Sequence, residues 1–178
     1  MLDSSGSIEM PSEGGFVGGW AVEKELAVGI IKSLGSVRNL LVVRFDEAAV
    51  PITTNAGNTS RAILDIRAAT YTSGDTNITA ALRACSTALD GLPAGTTSIG
   101  PIVVLITDGQ DENTAVSEAF NIKSHKSQSY ASAPKIFTLG MVEKTQVGLL
   151  RAISSGSGRA FLASDGSAAT LLVNSLTK

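Results

Sequence analysis

Three short segments carry the residue types best suited to chemistry. Asp3-Ser4-Ser5-Gly6-Ser7 has a D-x-S-x-S spacing, Gly74-Asp75-Thr76-Asn77-Ile78 stands just ahead of a helical pattern, and Ile106-Thr107-Asp108-Gly109 closes the most apolar run. Pooled, they offer two carboxylates (Asp3, Asp108) and three hydroxyls (Ser5, Ser7, Thr76), with no histidine nearby and no second cysteine. All-oxygen donors suit a hard cation, whereas zinc and copper prefer nitrogen or sulfur. Mg2+ takes about six ligands and tends to keep waters among them. Five side chains, some acting through water, leave a coordination position open, and neutral hydroxyls leave the cation electrophilic. An acidic group from another molecule would complete the shell, which is recognition without a reaction.

Such donors need a scaffold that delivers them to one place. Leu40–Phe45, Ile102–Thr107, Ile136–Met141 and Ala160–Ala163 are short apolar runs of the kind buried on both faces of a parallel sheet. Val50–Thr54 follows Asp46-Glu47 closely and contains Pro51, which predicts an antiparallel edge strand. Helical spacing runs through Val22, Leu26, Ile30 and Leu34, with Gly35 as the stop, and through Ile78, Ala81, Leu82, Cys85, Leu89 and Leu92. A polar stretch at Val116–Ser127, a short pattern at Val147, Leu150 and Ile153, and a last one at Leu171, Leu172 and Leu176, entered through Asp165-Gly166-Ser167, complete the helices. The expected fold is doubly wound α/β: a mostly parallel sheet with one antiparallel edge strand and helices on both faces. Ligands of such sheets bind beyond the carboxyl ends of the strands, where the first and third segments fall.

With 178 residues, the chain suits one domain spanning 1–178. Its 43% hydrophobic and 17% charged composition excludes disorder and coiled coil, and a net charge of -2 without a basic stripe argues against nucleic acid. No apolar run approaches the ~20 residues of a membrane span, so direct membrane insertion is not expected. Cys85 is the one cysteine, which excludes an intrachain disulfide. Met1 and Leu2 lead straight into Asp3, so any targeting segment lies outside this chain.

The three segments, in order, resemble the metal-ion-dependent adhesion site of von Willebrand factor type A domains, the family that includes the integrin I domains. The resembling residues are Asp3–Ser7, Gly74–Leu82 (GDTNITAAL) and Val104–Gly109 (VLITDG), with Val42–Val50, Ile136–Gly140 and Gly158–Ala163 similar to the family's second, fifth and sixth strands. The resemblance implies a Rossmann-like fold and metal residues Asp3, Ser5, Ser7, Thr76 and Asp108. It implies Mg2+, with Mn2+ or Ca2+ as alternatives, and a protein partner offering a Glu or Asp carboxylate. It points to an adhesion or interaction module at an extracellular or cell-surface location rather than to an enzyme. The family's first, central strand precedes the D-x-S-x-S motif, and this chain holds little of it, which implies truncation, donation of a strand by another chain, or a weaker variant sheet. A Gly-rich departure, Met10–Trp20, puts Phe16 and Trp20 at the rim of the site or against the first helix.

Two other functions remain open on the residues. A Mg2+-dependent phosphohydrolase would also use carboxylates at strand ends, but no phosphate-cradling loop or general base accompanies Ser5 or Ser7. An assembly domain with a non-essential metal site is the other. Asp75, Asp111 and Glu112 read as a solvated rim, Cys85 as inert core, and His125 as solvated helix surface. Asn58 and Asn77 both fit the N-glycosylation pattern, with Asn58 placed in a polar loop.

Overall fold

The apolar runs become strands because both of their faces are covered. The computed structural model describes residues 1–35, 39–53, 58–93, 100–109, 114–141, 145–163 and 168–176. Among these, the strands are β1 (Leu2–Asp3), β2 (Val42–Phe45), β3 (Ala49–Thr53), β4 (Ile102–Thr107), β5 (Lys135–Gly140) and β6 (Ala160–Leu162). The helices are α1 (Gly19–Ser33), α2 (Thr59–Ala68), α3 (Ile78–Asp90), α4 (Thr114–Ser124), α5 (Val147–Ile153) and α6 (Ala168–Leu176). One six-stranded sheet runs in the order β3-β2-β1-β4-β5-β6, parallel except for β3, which is antiparallel to β2 at the edge.

Alternation along the strands divides the core into two layers. Val103 and Leu105 of β4 and Ile136 of β5 pack with Ile78, Leu82, Ala119, Ile122 and Ile153 of α3, α4 and α5. Ile106, Phe137 and Leu139 pack on the other face with Trp20, Val28, Ile31, Ile66 and Leu172 of α1, α2 and α6. The doubly wound expectation and the antiparallel edge strand both stand.

The central strand is short. Leu2 pairs with Arg44 and Ile106, and Asp3 with Phe45, while β4 pairs residue by residue with β5 from Ile102 to Thr107. Main-chain bonds extend β1 slightly: Ile106 N–H donates to Met1 C=O at 3.0 Å and Ser4 N–H to Phe45 C=O at 2.8 Å. Asp3 therefore ends a strand held on both sides.

Two expectations need correction. The polar stretch after Asn58, for which no helix was expected, is α2: Asn58, exposed and outside the helix, caps it by accepting Arg61 N–H on Oδ1 at 2.9 Å, and Ala62 and Ile66 are its buried residues. Ile63 packs half-buried beside them while Leu64 is 60% exposed, so only two residues of the helix are fully buried. The inner face of α1 is also rotated from the expected one. Trp20, Glu23, Ala27, Val28, Ile30 and Ile31 are buried, while Val22 is 44% exposed. A charged residue occupies the inside, so a reading that put charge outside chose the wrong phase. Gly35 follows the end of α1 as expected, at φ +67°, and the Asp165-Gly166-Ser167 entry to α6 lies outside the described residues.

Candidate metal centre

The centre is built where β1 and β4 end side by side. Asp3 and Asp108 are fully buried there, and Ser5 and Ser7 are nearly so. Asp3 is oriented from two directions: Ser5 N–H donates to its Oδ1 at 2.9 Å and Thr107 Oγ–H to its Oδ2 at 2.5 Å. Thr107 Oγ in turn accepts Gly109 N–H at 3.0 Å, which ties the β4 end to the same point. Ser5 Oγ and Ser7 Oγ share a hydrogen bond at 3.1 Å, so both hydroxyls sit on one side of the loop.

The second loop is fastened to the first by main chain. Gly6 N–H donates to Gly74 C=O at 2.8 Å, Ser73 N–H to Ser4 C=O at 2.9 Å, and Ser5 and Gly74 form an isolated parallel bridge. Thr76 follows two residues later, and Asn77 then caps α3, its Oδ1 accepting Ala80 N–H at 2.8 Å while its amide donates to Glu47 C=O at 3.2 Å. Ser7 and Thr76 line a common cleft of about 320 Å³ with Gly6, Met10, Gly74 and Asp75. The five predicted residues come from three segments: Ser7 and Thr76 line the cleft, Ser5 is buried beside Ser7, and Asp3 and Asp108 are buried at the ends of β1 and β4. Among the described residues, no group of three or more His, Cys, Asp or Glu could hold a metal, which leaves a donor set rich in hydroxyls.

Electrostatics set this corner apart. Burial, reinforced by the charge of Asp108, pushes the Asp3 carboxyl up to about 7, against the opposing hydrogen bonds from Ser5 and Thr107. Burial, and then the charge of Asp3, raises Glu23 well above the usual glutamate range. Carboxyls crowded in a low-dielectric pocket resist ionisation until positive charge arrives.

Several supporting residues lie outside the predicted set. Tyr71 Oη donates to Ser5 C=O at 3.0 Å and to Gly6 C=O at 3.2 Å. Glu9 caps α1, accepting Gly18 N–H at 2.8 Å and Trp20 N–H at 3.0 Å, and so couples the helix to the Ser5–Ser7 loop. The Gly-rich segment is explained by close approach: a Cβ at Gly15 would fall 2.0 Å from Ser7 C=O, and one at Gly19 would fall 2.3 Å from Ile8 C=O. Thr107 adjoins a predicted residue and was the most accessible of these signals, whereas Glu9, Glu23 and Tyr71 act only through tertiary contact.

Trp20 is buried at 5% exposure and its indole N–H donates to Ala69 C=O at 3.3 Å, so of the two aromatics only Phe16, 38% exposed, stands outside. His125 is not a solvated helix residue. It follows α4, with Nε2 2.7 Å from Asp90 Oδ1 and Nδ1 against Tyr130 Oη, because the end of α3 packs there. Asp75 is exposed at the cleft, and Asp111 and Glu112 lie outside the described residues. Cys85 packs half-buried against the α3 layer, and burial raises its thiol.

A family description of the von Willebrand factor type A domain matches residues 1–110. None of the curated proteins matches the chain. Among solved structures, proximal thread matrix protein 1 from the mussel byssus, with a zinc-occupied MIDAS motif, superposes with a TM-score of 0.77 at 18% identity, covering 98% of this chain and 44% of that one. Manganese-loaded TRAP protein of Plasmodium vivax gives a TM-score of 0.69 at 19% identity, covering 96% and 69%. A von Willebrand factor type A structure from Catenulispora acidiphila gives 0.75 at 16%, covering 99% and 41%. The chain spans under half the length of the mussel protein. Among the described residues, no helix is long and apolar enough to cross a membrane.

Proposed function

Because the chain belongs to the von Willebrand factor type A domain family, we propose that residues 1–178 form one such domain, a module that binds an acidic side chain of a protein partner through a divalent cation. Asp3, Ser5, Ser7, Thr76 and Asp108 would hold the ion. The oxygen-only donors suit Mg2+, with Mn2+ or Ca2+ as alternatives. The observation that carries this reading is the gathering of three separate segments at one corner, where two buried carboxylates repel each other beside three hydroxyls. Those residues fit a hard cation, which would relieve the repulsion and supply a Lewis-acidic position for a guest carboxylate. The chain's own part is orientation: Thr107 and Ser5 N–H aim Asp3, and the Gly74 contact holds the Thr76 loop against the serines.

Binding without turnover is supported by the position of the histidine. His125, the one histidine, lies at the far end of α3, a 13-residue helix and so about 20 Å from the Thr76 end. Surface or extracellular use belongs to the same reading, supported by the likeness to a byssus thread protein.

Titration calorimetry with MgCl2 and MnCl2 tests the site. Wild type binds one ion and Asp108→Ala loses it; absence of heat with both ions would sink the proposal. A surface coated with polyglutamate retains wild-type protein in Mg2+ and releases it in EDTA, and retention that survives EDTA counts against a metal-mediated contact.

A further inference from the structure

We infer that Glu23 is a positioning residue of this centre, a buried side chain on α1 that grips the main chain of Asp3. The inference rests on the metal-binding reading. Glu23 is fully buried, and its Oε1 accepts Asp3 N–H at 2.6 Å across 20 residues of sequence. The neighbouring ladder bonds run strand to strand: Ile106 N–H goes to Met1 C=O and Ser4 N–H to Phe45 C=O. At Asp3 a side chain grips the main chain as well. That residue is also where β1 stops and the metal loop starts, so its main-chain orientation directs the carboxyl that receives Ser5 N–H and Thr107 Oγ–H.

Stability alone does not explain a glutamate here. The rest of the buried face of α1 consists of Gly19, Trp20, Ala27, Val28, Ile30 and Ile31. Glu23 Oε2 is buried without a hydrogen-bond partner, a circumstance that costs folding free energy and that an apolar side chain would avoid. What Glu23 provides, and its apolar neighbours cannot, is an acceptor for one N–H. Residues that orient a ligand in this way typically change metal affinity about 10- to 100-fold when altered.

The test compares Mn2+ affinity by calorimetry in wild type, Glu23→Gln, Glu23→Met and Glu23→Asp, with the melting temperature of each measured in EDTA. Gln keeps an acceptor of the same reach and is expected to bind Mn2+ within about twofold of wild type. Met removes the acceptor and Asp withdraws it by one carbon–carbon bond, and both are expected to weaken binding about tenfold, whatever their melting temperatures. If Met prevents folding, Asp reads the same effect. Wild-type affinity in both Met and Asp would overturn the inference, as would an equal loss in Gln, which would make charge the agent. In 15N-labelled wild type, the Asp3 amide proton is expected far downfield; an ordinary chemical shift would likewise overturn it. Wild type that gives no heat with Mn2+ defeats the metal reading itself, whereas normal wild-type binding with unaltered variants defeats the role of Glu23 alone.

Discussion

Helices α1 and α3 each begin after a loop of the metal centre, yet they treat charge in opposite ways. The buried residues of α3 are Ile78, Thr79, Ala81, Leu82 and Leu89, and its charge lies outside, where Arg83 Nε meets Glu118 Oε1 of α4 at 3.0 Å. The buried face of α1 includes Glu23, set against Asp3. One helix keeps its charge outside, and the other buries a carboxyl against the main chain of Asp3. A break in an otherwise regular amphipathic pattern is therefore informative, because it marks where packing has yielded to the site.

The comparison predicts effects of decreasing size. Leu82→Ala empties a fully buried position in the α3 layer. It should cost about 2–5 kcal/mol in urea unfolding while leaving Mn2+ affinity unchanged; a matching loss of affinity would mean that the two functions are not divided between the helices. A smaller effect separates Glu23→Gln from wild type in EDTA. The folded-state pKa of Glu23 lies above its unfolded value, so its contribution is intact below the usual glutamate value of about 4.3 and declines as pH rises through the folded pKa. The stability of wild type relative to Glu23→Gln should therefore fall as pH rises above the usual glutamate value. A flat difference would show that Glu23 ionises freely.

Glu118 supplies the smallest effect and the opposite sign. Its hydrogen bonds from Asn121 and Arg83 lower its pKa, so its contribution is present above the ordinary value and lost as pH falls through the folded one. Against Glu118→Gln, wild type should lose a few tenths of a kcal/mol below about pH 4, less at high salt. An equal effect at all pH values would remove the contrast between the helices.

Much of this was legible in the amino-acid pattern. Runs such as IVVLIT have no polar face, so only a covered sheet accommodates them, and Pro51 marked the edge strand. The α3 stripe read correctly because none of its inward residues is charged. The metal candidates were visible as three spaced motifs because side chains of one chemical type recur there. The phase of α1 was not legible, since Glu23 is buried for a reason that lies 20 residues away. Nor was α2: with only Ala62 and Ile66 buried, and an Arg61–Asp65 ion pair on its outside, it resembles a solvated loop until the Asn58 cap is seen. Tyr71 and Glu9 left no trace because each grips main chain, which every sequence has.

The two main-chain crossings between Ser4–Gly6 and Ser73–Gly74 join loops nearly 70 residues apart, beside the grip of the Tyr71 hydroxyl. Such a weld fixes their relative height. A fluctuation that lifts the threonine loop must pull on the serine loop as well, so the donors from these two segments disperse or assemble as a unit rather than one at a time.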